Sequence, residues 1–105
     1  MPKTITKLIA KTKTVPYDVA EQLRTPEEMA AYLDAWLDEA PDDASGIARA
    51  LGDIARAKGM SQVARDAGLS RESLYKALSE NGNPSFATVL KVARALGVRL
   101  HAKVA

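Results

Sequence analysis

The chain has 105 residues, 47% hydrophobic and 27% charged, with 15 Lys+Arg against 13 Asp+Glu and no cysteine. Such a length suits one domain with a tail, too apolar for intrinsic disorder and too short for a large enzyme fold. The missing cysteines exclude disulfides, thiolate metal sites and cysteine nucleophiles, and no stretch approaches the roughly 20 apolar residues of a membrane helix. The opening MPKTITKLIAKTKTVP lacks the continuous apolar core of a secretory signal, so a cytoplasmic protein with no membrane attachment is expected.

The net charge of +2 conceals a strong segregation. Residues 1–16 carry Lys3, Lys7, Lys11 and Lys13 and no acid. Residues 17–45 hold nine acids against Arg24 alone, and residues 46–105 hold ten Lys/Arg against four acids. An acidic strip between a basic arm and a basic body suggests surfaces for different partners, unless the charges are only solvated helix faces. We read residues 1–24 as a basic N-terminal arm and lead-in, and 25–105 as a single helical domain.

YDVAEQLR is too short to read as a helix, and the first strong helix signal comes at Thr25. Thr25-Pro26-Glu27-Glu28 combines an N-cap, a proline at the first helical position and a Glu three residues after the cap. Met29, Tyr32, Leu33, Trp36 and Leu37 then form one apolar side, and Pro41 ends the helix. A second helix starts at Asp42 or Asp43, buries Ile47, Leu51, Ile54 and Ala55, and closes at Gly59. SQVARDA reads as a short helix, Gly68-Leu69-Ser70 as a tight turn, and SRESLYKALSE as the next helix. Asn81-Gly82-Asn83-Pro84 is a loop, after which Ser85 caps FATVLKVARAL, with Phe86, Val89, Leu90, Ala93 and Leu96 expected inward and Gly97 at its end. The tail VRLHAKVA alternates apolar and polar residues, the period of a strand. It is either a frayed terminus or a short C-terminal strand that pairs across a dimer or with a partner. The class is all-α.

Two short helices joined by a glycine-containing turn, at about residues 60–80, have the layout of a helix-turn-helix, whose second helix enters a DNA major groove. Ala64 lets the helices approach, Gly68 supplies the turn, and Val63, Ala67, Leu69, Leu74 and Leu78 hold the pair to the core. Arg71, Glu72, Ser73, Tyr75 and Lys76 are left on the open side. Arg71 can grip guanine O6/N7, Glu72 can accept from cytosine N4, and Ser73 suits either base. Tyr75 and Lys76 fit phosphate or groove-wall contacts, as do Ser61, Gln62, Asn81, Asn83 and Ser85. Several have a plainer reading beside this one. Glu72 can pair with Arg71 or Lys76, Tyr75 can be packing, and Ser61, Ser70 and Ser85 can be helix caps.

The segment GMSQVARDAGLSRESLYKALSENGNPSFATVLKVARALGV resembles the lambda-repressor-like helix-turn-helix domain of the Xre/Cro class. With YDVAEQL, AYLDAWLDEA and ALGDIARAKG ahead of it, the stretch from about Tyr17 to Leu100 closely resembles the HigA-like addiction-module antidote proteins. The resemblance implies a five-helix DNA-binding domain behind an N-terminal acidic helix. It also implies a homodimer that binds an operator, represses its own operon and neutralises a small basic RelE/HigB-like ribonuclease toxin. It places Gln62, Ser70, Arg71, Glu72, Ser73 and Lys76 at the DNA. The toxin contacts do not transfer residue by residue. Charge alone makes Glu27, Glu28, Asp34, Asp38 and Glu39 the candidates, since an RNA-cleaving toxin is expected to be basic.

Catalysis is not expected. His101 is the only histidine and has no nucleophile near it in sequence, and neither a phosphate loop nor a metal-ligand spacing occurs, so no cofactor is implied. The competing reading is a stand-alone phage-type repressor without a toxin partner. The capped acidic helix ahead of the DNA-binding segment favours an antitoxin, because simple repression does not require it.

Overall fold

The Thr25 signal is realised in full. The Thr25 hydroxyl accepts from Glu28 N–H at 3.1 Å while the Glu28 carboxylate accepts from Thr25 N–H at 2.9 Å. This reciprocal capping box, with Pro26 in the first turn, starts helix α1 (Pro26–Glu39). In the computed structural model, which describes residues 19–79 and 81–105, four more helices follow. They are α2 (Ala44–Lys58), α3 (Met60–Ala67), α4 (Arg71–Ala77) and α5 (Phe86–Leu96). A single 3-10 turn, Val19–Gln22, precedes them. The expected basic arm, residues 1–16, lies outside the described residues.

Local chemistry accounts for most of the boundaries. Asp43 caps α2 by accepting from Gly46 N–H at 2.9 Å. Gly59, at φ 118°, ends α2 and begins α3, donating to the Ala55 carbonyl and accepting from Val63 N–H. Gly68 and Gly97 both adopt the left-handed conformation after a helix, and the next residue, Leu69 or Val98, bonds back to Ala64 or Ala93. Two caps are serines: Ser70 accepts from Ser73 N–H and Ser85 from Thr88 N–H. Ser61 caps nothing. It stands inside the first turn of α3, where Gly59 holds the cap position without a side-chain hydrogen bond.

Helix α2 is the hub, in contact with α1, α3, α5 and the 3-10 turn, while α4 packs on α3 and α5 packs on α3 and α2. One apolar cluster joins Leu23, ahead of α1, with Tyr32 and Trp36 of α1, Ile54 of α2, Val63 of α3, Leu74 of α4 and Leu96 of α5. Gly46 lets α2 close on α1: a Cβ there would lie 2.5 Å from the Trp36 ring. The Arg49 guanidinium carbon sits 5.9 Å from the centroid of the same ring, within cation–π range.

A buried polar couple crosses the α1–α2 contact. Tyr32 donates to the Asp53 carboxylate at 2.8 Å, and Arg56 pairs with the other oxygen. Burial raises the Asp53 carboxyl above its ordinary value, against the opposing pull of the Tyr32 hydroxyl and the Arg56 and Arg49 charges.

Two expectations are corrected. Phe86 and Leu90 are exposed rather than inward; α5 instead buries Val92, Ala93, Ala95 and Leu96. Its apolar arc is wider than α3 and α2 can cover, so periodicity alone does not tell which edge is sealed. Leu37 is likewise exposed, because α1 turns Ala35 into the core instead. Within the single chain residues 98–105 make no strand, which both readings of the tail allow, and the fold among the described residues is all-helical.

Candidate nucleic-acid interface and acidic face

Helices α3 and α4 are joined by the three residues Gly68, Leu69 and Ser70. Val63, Ala64 and Ala67 of α3 are buried, as are Leu74 and Leu78, and Leu69 packs partly against them. In α4 only Leu74 is buried, so nearly everything else on that helix is open to solvent. Arg71, Glu72, Ser73, Tyr75 and Lys76 are all exposed, as are Ser61 and Gln62 at the start of α3 and Asn83 in the following loop. The expected DNA-facing residues thus reach the surface, most of them along two adjoining helices.

The plainer readings separate here. Glu72 forms no ion pair with Arg71 or Lys76 among the described residues, so its carboxylate stays available. Tyr75 is half exposed, and the Arg71 guanidinium carbon lies 5.7 Å from its ring centroid. This i,i+4 stacking restrains Arg71 on the outer side of α4 while leaving its planar fork free to hydrogen-bond. Ser70 has a structural task as cap, and its hydroxyl also lies 2.8 Å from that of Ser73. The Arg71–Tyr75 pair was not anticipated; its signal in the sequence was the four-residue spacing of a cation and an aromatic.

The acidic candidates all lie on α1 and all are exposed. Glu27, Asp34 and Asp38 fall on one side of the helix, opposite the buried Trp36 stripe, while Glu28 and Glu39 fall together on another. Glu28 differs from the rest, since one of its carboxylate oxygens also accepts from Arg24 N–H at 3.0 Å and so serves the cap. A groove of about 640 Å³ separates α1 from residues 98–103. Asp34 and Asp38 line its helical wall, and Arg99, His101 and Lys103 line the other.

Among the described residues these features define an all-helical fold with a polar, solvent-facing pair of short helices and a separate acidic helix. No described helix is long and apolar enough to cross a membrane, and no cluster of metal-ligating side chains occurs among the described residues. Residues 13–104 match the family described as "Probable addiction module antidote protein". An uncharacterized protein of Haemophilus influenzae is 59% identical over 83 residues, which cover 79% of this chain and 84% of that protein. No solved structure matches. The chain belongs to the addiction module antidote family, whose description points to a regulatory protein rather than an enzyme.

Proposed function

We propose that this chain is the antitoxin of a type II toxin–antitoxin module, working in the cytoplasm as a homodimer with two separate binding surfaces. The first is the α3–α4 pair, a lambda-repressor-like helix-turn-helix that reads operator DNA and represses the chain's own operon. Arg71 takes a guanine edge and Glu72 a cytosine amino group, with Ser73 beside them. Gln62, Tyr75, Lys76 and Asn83 hold phosphates and the groove wall, with Ser61 alongside, and Ser70 fixes the start of α4.

The second surface is the acidic side of α1. Glu27 and Glu39, with Glu28 beside its cap, offer a negative face to a small basic toxin of the RelE/HigB-like ribonuclease type, drawing it in and fixing its orientation. The observation that carries the reading is the pairing of antidote-family membership with a helix, α4, that buries one side chain and exposes five polar or charged ones. A helix anchored on so narrow a stripe leaves its remaining surface for a partner.

The test is co-expression with the small basic protein encoded beside it, a tag being placed on this chain only. The two proteins are expected to co-purify, with Glu27→Lys/Glu39→Lys weakening the complex. A soluble toxin that never associates would overturn the toxin half of the reading and leave the DNA half to its own test.

A further inference from the structure

The tail after α5 faces Asp34 and Asp38 of the acidic helix across the groove and has no part in the α3–α4 surface. It leaves the domain from a rigid stop: Gly97, at φ 76°, donates to the Ala93 and Arg94 carbonyls, and Val98 N–H bonds the Ala93 carbonyl at 3.0 Å. Val98 also packs against the core, so the direction of the following residues is fixed at its root. Beyond that point Val98, Leu100, Ala102 and Val104 alternate with Arg99, His101 and Lys103. Among the described residues no backbone group of 99–105 makes a hydrogen bond. An alternating segment with an open backbone edge is a template for another strand.

The groove beside it is built for one kind of strand. Leu37 and Leu100 are both about two-fifths exposed (41% and 39%), and Val104 is almost fully so. Asp34 and Asp38 on one wall and Arg99 and Lys103 on the other form no ion pair across the gap or elsewhere among the described residues. An occupant must therefore place apolar residues over Leu37 and Leu100 while bringing positive charge to Asp34 and Asp38. The tail itself carries that alternating pattern.

We propose that the tails of two copies pair as antiparallel strands, each lying in the groove between the other's tail and α1. The order across the interface is α1, partner tail, tail, partner α1. Each copy's Arg99 and Lys103 then meet the other's Asp34 and Asp38, and each Leu100 helps cover the other's Leu37. Such an interface is isologous, as a twofold dimer requires. The inference rests on the homodimer of the proposed function and gives it an interface, yet its test involves neither DNA nor toxin.

The natural absence of cysteine makes that test direct. A symmetric antiparallel pair sets one residue opposite its own mate at about 4.5–5.5 Å between Cα atoms, inside disulfide reach. Single cysteines placed in turn at 99 to 103 should therefore cross-link strongly at one position and weakly at its neighbours after mild oxidation. In sedimentation equilibrium the full chain should dimerise at micromolar concentration. Asp34→Lys/Asp38→Lys should weaken the dimer by about tenfold or more, and adding Arg99→Glu/Lys103→Glu should restore it. Circular dichroism checks that each variant keeps its helices. A monomeric wild-type chain, a dimer indifferent to these charges, or equal cross-linking at all five positions would overturn the inference.

Discussion

Helices α1 and α4 both turn charge to solvent, but they are held in opposite ways. Helix α1 buries five side chains, among them Trp36 and Tyr32, both without solvent exposure, and it is tied to α2 by the Tyr32–Asp53 hydrogen bond. Helix α4 buries only Leu74 and depends on its Ser70 cap. The acidic face therefore sits on a platform the core cannot do without, whereas the polar face sits on a helix attached by a narrow seam. Substitutions on the two outer faces should change binding, while substitutions beneath them should have very unequal effects on folding.

The largest effect is expected beneath α1. Trp36→Ala removes the biggest fully buried side chain and should cost about 3–5 kcal/mol in urea unfolding. A loss under about 1 kcal/mol would mean that α1 is not part of the cooperative core. Beneath α4 the sharpest lever is the cap: Ser70→Ala should cost about 1 kcal/mol in the same measurement. Were Ser70→Ala the more damaging of the two, the contrast would be reversed.

The buried couple behind α1 gives a prediction in pH. Burial raises the Asp53 carboxyl in the folded chain, so the folded state holds the proton more tightly than the unfolded one. Its favourable contribution is complete below the unfolded value, about 3.9, and is lost as pH rises through the raised folded value. Across that window the stability difference should move in favour of Asp53→Asn as pH increases, with no further change once the wild-type carboxyl is fully ionised. A constant difference from acid to neutral pH would remove the burial argument.

Much of this architecture was legible because it is local. The Thr25–Glu28 box, the Asp43, Ser70 and Ser85 caps and the Gly68 and Gly97 endings each depend on a few neighbouring residues, and each formed where its side-chain chemistry required. The open side of α4 could be read the same way, since the apolar residues around it account for its one buried face. The failures were of another kind. Whether Leu37, Phe86 or Leu90 is covered depends on how far a neighbouring helix extends, and the apolar period does not record that. The Tyr32–Asp53 bond joins residues 21 apart. The approach at Gly46 likewise exists only once α1 and α2 have docked. Long-range complementarity was invisible for the same reason in the tail, where the alternation was plain but the acidic wall beside it was not.

The proposed division of labour between the two faces rests on the proposal that α4 is the DNA-reading helix. Its most direct test is an anisotropy titration of Arg71→Ala against a labelled duplex covering the chain's own promoter. Loss of the guanine contact should cost about 1–3 kcal/mol, or roughly 5- to 150-fold in affinity, while unfolding free energy stays within about 0.5 kcal/mol of wild type. Unchanged affinity for that duplex would contradict the account, because Arg71 is the exposed side chain best placed on α4 to read a base.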